Sequence, residues 1–151
     1  MARLQLEIVT AEGSVFSGEV DSVTAPGADG QLTILPSHAS LITSLADGEL
    51  KYIDSGSDHF VALLGGFMEV NRNRVTVLAN AAEDEGEIDE QRAEEAMNRA
   101  RERLAAHTEE VDIELALAAL RRARARLTVA RSRRRSGRAD STIPVSPPSR
   151  T

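Results

Sequence analysis

The chain has 151 residues, 41% of them hydrophobic and only 3% aromatic, so it can form one domain, or two small ones, with a core mostly of Val, Leu, Ile and Ala. It contains no Cys, which excludes disulfides, thiolate metal sites and Cys nucleophiles. Its formal net charge of -6 combines an acidic segment, residues 83–95, with an arginine-rich segment, residues 121–138. The absence of a long apolar run and of a signal peptide predicts a cytoplasmic location.

The first half of the chain alternates apolar and polar residues, which is typical of half-buried strands. The first such run covers residues 4–8, and others follow at a regular spacing between turns rich in Gly, Asp and Ser. Gly65-Gly66 indicates a bulge or a close backbone approach between the runs at 59–64 and 67–70. Short strands at this spacing predict an all-β sandwich or barrel of about 80 residues.

The apolar period becomes helical after this region. Asp89 is placed to cap the first turn of a helix, and Ile88 to pack against Ala93 as a hydrophobic staple. Two helices of about 18 and 22 residues follow, with a break at residues 107–110. Their apolar stripes are narrow and rich in Ala, so the hairpin buries little area and is expected to be a mobile part.

These patterns predict an α+β protein with three segments. They are a β-sandwich over residues 1–82, a helical hairpin over residues 83–135 and a disordered tail over residues 136–151, which is rich in Ser, Arg and Pro.

No catalytic motif and no metal-ligand spacing is present, and an enzyme is not predicted. The three histidines lie far apart in the sequence. A structural role is expected for His59 in its strand, and a helix-capping role for His107. His38, in a loop beside Pro36, is either a contact residue or an ordinary loop residue.

The arginines of the two predicted helices form pairs on shared faces. Arg92 and Arg99 lie on one face of the first helix, and Arg122 and Arg126 on one face of the second. If the hairpin closes, these four guanidinium groups can converge on a polyphosphate, with Asp89 nearby to hold a sugar or base. Pairing with neighbouring Glu residues is the commoner reason for such spacing.

The arginine-rich segment from Arg121 to Arg138 also suits nucleic acid or anionic lipid. Ala and Leu interrupt it at helical spacing, however, so a solvated helix face, or one that meets an acidic protein surface, is the commoner explanation. Few aromatic residues are available to stack on bases.

Two blocks of sequence resemble the epsilon subunit of the F-type ATP synthase. The first is residues 26–43, PGADGQLTILPSHASLIT, and the second is residues 65–83, with GGFMEV, VTVLA and AE in order. The resemblance covers residues 3–130. It implies an α+β fold, an N-terminal all-β sandwich of about ten strands followed by a C-terminal antiparallel helical hairpin.

The resemblance also implies a function. The family member is a non-catalytic, regulatory subunit of the central stalk, which binds the gamma subunit and the ring of c subunits and helps couple proton translocation to ATP synthesis. It lies on the cytoplasmic face of the bacterial plasma membrane, which it meets only through the complex, and it has no nucleic-acid partner. Gln31 and His38 match the loop that contacts the c ring.

In the bacterial family the extended hairpin inhibits ATP hydrolysis by placing basic residues of its second helix against the catalytic alpha and beta subunits. The residues that match are Arg121, Arg122, Arg124 and Arg126.

Some bacterial members bind regulatory ATP in the folded hairpin through a motif similar to Ile-Asp-x-x-Arg-Ala. Here the candidate residues are Ile88, Asp89, Arg92, Ala93, Arg99, Arg122 and Arg126. Two of them also serve as a helix cap and staple, so both interpretations stay open. The residues from Ser132 onward exceed the family's usual length and have no assigned role. The alternative function is a free β domain whose arginine-rich tail binds nucleic acid or an anionic membrane.

Overall fold

The computed structural model describes residues 2–106 and 110–141 of the chain. Within them, eight strands precede a turn of 3-10 helix (Glu85–Glu87) and two helices. The strands are β1 (Leu4–Thr10), β2 (Gly13–Val20), β3 (Ser22–Gly27), β4 (Gly30–Ile34), β5 (Leu41–Leu45), β6 (Gly48–Asp54), β7 (Ser57–Asn71) and β8 (Arg74–Asp84). The helices are α1 (Glu90–Ala105) and α2 (Glu110–Ser141).

The strands form one hydrogen-bonded network that folds over a single apolar core. Their order is β2-β1-β8-β7-β5-β3-β4, and β6 pairs with both β3 and β7. The β1–β8 pair is parallel, whereas the neighbouring pairs are antiparallel. In β1, Leu4, Leu6 and Ile8 are fully buried and the residues between them are not. The predicted α+β class, with a β-sandwich followed by a helical hairpin, is confirmed.

The described residues form eight strands rather than about ten, and one reason is that β7 does not end at Gly65-Gly66. Both glycines have a positive φ, 66° and 137°, which bends the strand without breaking its pairing with β8. Core-facing side chains switch from odd to even positions across this bend: Val61 and Leu63 before it, then Met68 and Val70. The strand thus turns its opposite side to the core, as strands do at the corner of a sandwich.

A second, smaller apolar cluster attaches the hairpin to the outer side of the sandwich. We call it the hairpin seat, and its members are Phe60, Ala62, Ile88, Val129 and Ala130. All five residues are at most 6% exposed. Phe60 and Ala62 lie on β7, whereas Val129 and Ala130 lie on α2. The seat therefore attaches the second helix to the sheet.

The N-terminus of α1 has the cap that its sequence predicts. The Asp89 carboxylate accepts a hydrogen bond from the Arg92 backbone N–H at 3.2 Å, so Asp89 caps the helix as predicted. The two helices pack together and bury small residues at intervals of seven: Ala93 and Ala100 on α1, and Ala116 and Ala123 on α2. Within residues 2–106 and 110–141, no helix is long and apolar enough to cross a membrane.

The end of α2 differs from the sequence prediction. The helix continues to Ser141, so residues 136–141 are helical and do not belong to a disordered tail. The predicted boundary at residue 135 thus falls within α2, just after Ser132 and Arg133, which contact other elements as described below. Residues 142–151 and His107 lie outside the described residues.

At the bend of β7, we expect the substitution Gly66→Ala to lower the stability of the protein strongly. A Cβ at this position would lie 2.1 Å from the carbonyl oxygen of Leu78, a distance that forces the backbone to move. We expect the free energy of unfolding to fall by about 3 kcal/mol, measured by urea denaturation. Gly13→Ala is the matched control, because Gly13 has a similar φ of 131° but open space around it; it should cost about 1 kcal/mol. Equal losses would show that backbone strain, and not the contact with Leu78, decides the effect.

Candidate functional site

A polar cleft of about 490 Å³ lies between the end of β8, the start of α1 and the middle of α2. Its lining combines three acids, three arginines and two alanines: Glu83, Glu87, Asp89, Arg92, Ala93, Ala96, Arg99 and Arg126. The alanines leave room, while the charged side chains surround it. Such a cleft suits a polar ligand that carries several negative charges and also hydrogen-bond donors.

Helical periodicity places the α1 side chains in the cleft. Arg92, Ala96 and Arg99 follow one another at intervals of four and three, so they project from one face of the helix. Both arginines are exposed, and their side chains form no ion pair within residues 2–106 and 110–141. The two guanidinium groups are consequently available to an anion.

Arg126 is held differently. Its guanidinium group donates to both carboxylate oxygens of Glu83 at 2.6–2.9 Å, and each side chain is about 30% exposed. This bidentate pair connects α2 to the end of β8. Glu83 therefore occupies the guanidinium group that an anionic ligand in the cleft would need.

The structure brings five of the seven predicted ATP-site residues together. Asp89, Arg92, Ala93, Arg99 and Arg126 line the cleft. The other two do not: Ile88 is buried in the hairpin seat, and Arg122 is exposed outside the cleft lining. Ile88 thus positions the start of α1 by packing in the hairpin seat, and its predicted contact with Ala93 as a staple stays a prediction.

Sequence reasoning did not assign Glu83, Glu87 or Ala96 to the site. Glu83 and Arg126 are 43 positions apart, so no spacing rule connects them. The sequence could have indicated that Ala96 lines the site, because it lies four residues from Arg92 on the same helical face.

The arginines predicted to inhibit catalysis divide into two groups. Arg121 faces Asp47 at 3.7 Å, and Arg126 binds Glu83, so these two are engaged with the β domain. Arg122 and Arg124 are exposed, and their side chains make no ion pair in the part of the chain that the structure describes.

The predicted c-ring residues are both exposed but lie at opposite ends of β4. Gln31 is near the start of the strand, and His38 is in the loop that follows it. The Ser37 N–H donates to the Asn73 side chain at 2.6 Å, which ties this loop to the β7–β8 turn. The backbone of Ser37 is in the left-handed region, with a φ of 70°. His38 is thereby presented on a fixed loop.

A cluster of aromatic and acidic side chains lies where the sandwich meets the hairpin. The Tyr52 ring stacks on His59, with centroids 5.0 Å apart, and His59 Nδ1 is 3.6 Å from a Glu85 carboxylate oxygen. His59 accordingly has the structural role expected of it. Burial raises the pKa of Tyr52 to about 12, and burial together with the nearby Asp84 raises the pKa of Glu85 above its ordinary value.

Comparison with known families divides the chain where the structure does. Residues 3–85 match the family described as ATP synthase, Delta/Epsilon chain, beta-sandwich domain. Residues 87–131 match the family described as ATP synthase, Delta/Epsilon chain, long alpha-helix domain. Together the two matches cover all the strands, α1 and α2 up to Arg131.

Three similar curated proteins are each named ATP synthase epsilon chain. The chain is 50% identical over 131 residues to the ATP synthase epsilon chain of Herpetosiphon aurantiacus, a match that covers 87% of this chain and 96% of the relative. It is 48% identical over 131 residues to the epsilon chain of Desulforamulus reducens, covering 86% and 99%. It is 49% identical over 144 residues to that of Dehalococcoides mccartyi, covering 89% and 97%.

Among solved structures, a chain of the Euglena gracilis mitochondrial ATP synthase, described as OSCP/F1/c-ring, has the same fold. The TM-score is 0.72 at 24% sequence identity, over 80% of this chain and 77% of the other.

Proposed function

The chain belongs to the ATP synthase delta/epsilon family as a non-catalytic epsilon subunit, and from this premise we propose that its sandwich docks on the central stalk while its hairpin regulates ATP hydrolysis. The observation that carries the proposal is the mode of attachment of the hairpin. A five-residue apolar seat and a few ion pairs hold it, so a partner that binds α2 better can draw it away.

The outer face of the sandwich offers a docking surface for the gamma subunit. Val9, Leu78 and Phe67 are aligned across β1, β8 and β7, and Ile42 lies beside them on β5. Phe67 is 60% and Ile42 74% exposed, an apolar row of the kind that interfaces cover. Family membership makes gamma the expected occupant of this row.

The loop that carries His38 is proposed to contact the c ring, together with Gln31. Both side chains are exposed and polar, and the loop is fixed to Asn73, so it can meet the polar loops of a rotating ring without first becoming ordered. The protein would then meet the membrane only through the complex, on the cytoplasmic face.

The hairpin is proposed to inhibit hydrolysis when α2 leaves the sandwich and meets acidic surfaces of the catalytic alpha and beta subunits. Arg122 and Arg124 are already exposed for such contacts. Arg121 and Arg126 would exchange Asp47 and Glu83 for acidic groups on the partners. Because the same arginines serve both states, their ion pairs with the sandwich oppose extension.

ATP is the ligand proposed for the polar cleft. Arg92, Arg99 and Arg126 supply charge for a triphosphate, and the acids Glu83, Glu87 and Asp89 supply acceptors for the sugar and base. The cleft exists only while α1 and α2 lie together on the sandwich, so a bound nucleotide would stabilise the closed hairpin. No feature of the described residues favours the alternative, a free nucleic-acid or membrane binder.

Docking is tested by Phe67→Glu. A carboxylate in the centre of the apolar row would have to lose its water in the interface, so we expect the affinity for purified gamma subunit to fall at least about tenfold. Surface plasmon resonance measures the affinity. Asn98→Glu, which adds the same charge at an exposed site on α1, should bind normally. Unchanged binding of the Phe67 variant would remove this face from the interface.

Nucleotide binding is tested by calorimetry with MgATP. Arg92→Ala removes one charge from the cleft without breaking an ion pair, and we expect the affinity to fall about tenfold. Arg101→Ala, an exposed arginine on the same helix but outside the cleft lining, is the matched control. The absence of any heat with the intact chain would exclude ATP as a ligand.

Inhibition is tested with the double variant Arg122→Ala, Arg124→Ala in the assembled complex. Neither side chain supports the closed form, so the change should weaken only the inhibitory contacts and raise steady-state ATP hydrolysis about threefold. Arg101→Ala with Arg103→Ala, the same charge change on α1, should leave the rate unaltered. Equal rates in both variants would contradict an inhibitory role for these arginines.

A further inference from the structure

We propose that the extension of α2 beyond residue 131 is an intramolecular latch that holds the hairpin closed without any nucleotide. The latch consists of Ser132, Arg133 and Arg134, which directly follow the end of the helical-domain family match. The proposal rests on the mobile hairpin of the function proposed above, and it adds a device that belongs to this extension.

The first contact of the latch is with the sandwich itself. Ser132 is only 7% exposed, and its hydroxyl donates to a Glu49 carboxylate oxygen at 2.5 Å. Glu49 lies on β6 directly opposite Ala62, a member of the hairpin seat. The hydrogen bond therefore lies at the edge of the hairpin seat. A hydrogen bond to a charged acceptor in a half-buried setting is among the stronger kinds.

The other two contacts reach the connection and the first helix. The Arg133 guanidinium group donates to the backbone carbonyl oxygen of Glu85, in the 3-10 turn. Arg134 forms an ion pair with Glu90, the first residue of α1. The three consecutive residues thus bind β6, the 3-10 turn and α1, and separation of α2 from the sandwich and α1 breaks all three contacts together.

The neighbouring arginines show that contacts with other elements are not made by every basic residue in this part of α2. Arg131 and Arg135 are exposed, and neither side chain reaches the sandwich, the 3-10 turn or α1 in the part of the chain described here. Arg135 instead donates to the hydroxyl oxygen of Ser132 at 3.3 Å. Position along the helix, and not net charge, decides which residues hold it.

The test uses a single cysteine probe, since the full chain has none of its own. Ala130→Cys places a thiol in the seat, where the parent residue is fully buried, so its rate of reaction with a thiol reagent reports the fraction of open hairpin even when that fraction is small. Val70→Cys in the sandwich core, in a separate chain, reports global unfolding. All rates are measured without nucleotide.

In the Ala130→Cys background, the triple variant Ser132→Ala, Arg133→Ala, Arg134→Ala should react about tenfold faster. Arg131→Ala, which removes a positive charge next to the probe, should change the rate less than about twofold. The Val70→Cys rate should be the same with and without the latch.

The outcomes distinguish a failure of the latch from a failure of its premise, the opening of the hairpin. If the Ala130 probe reacts faster than the Val70 probe but the triple variant changes nothing, the hairpin opens and the latch proposal is overturned. If both probes react at the same slow rate, the hairpin does not open apart from global unfolding, and the mobile hairpin fails along with the latch.

Discussion

The small apolar contact between the hairpin and the sandwich is the interaction on which the proposed function depends. The hairpin seat has only three large apolar side chains, Phe60, Ile88 and Val129, each worth about 2 kcal/mol when buried. The ordering of the chain offsets part of this gain. The proposed opening of the hairpin would therefore cost a free energy within the range that a ligand or a partner surface can supply. A larger apolar contact would fix one state.

Two arginines of α2 are paired with acids of the sandwich while the hairpin lies on it. In the closed form, Arg126 is neutralised by Glu83 and Arg121 faces Asp47, while the cleft beside them keeps two unpaired arginines. The proposed ligand would compete with Glu83 for one guanidinium group and would gain the other two outright. An anion could therefore be accepted there, as proposed, without leaving an unpaired buried charge in the closed form.

Local patterns predicted much of this molecule because its local and tertiary preferences agree. The alternation in β1, the Asp89 cap and the common face of Arg92 and Arg99 follow from periods of two and 3.6 residues. The patterns failed where distant contacts decide. Arg122 and Arg126 share a helical face, but only Arg126 meets Glu83 and enters the cleft. The Ser- and Arg-rich end of α2 has the composition of a tail, but Ser132 and the arginines after it find partners on three elements that no local rule connects.

The corner at Gly65-Gly66 has a mechanical consequence. Because β7 continues through it, one strand carries Phe67 on the outer row and Phe60 in the hairpin seat, and β8 accompanies it through most of that length. A sideways load on the outer row would travel along two hydrogen-bonded strands to the base of the hairpin, without passing through a flexible loop. Gly66, which cannot carry a Cβ without a shift of the backbone, would thus keep the sandwich stiff between the proposed docking row and the hairpin.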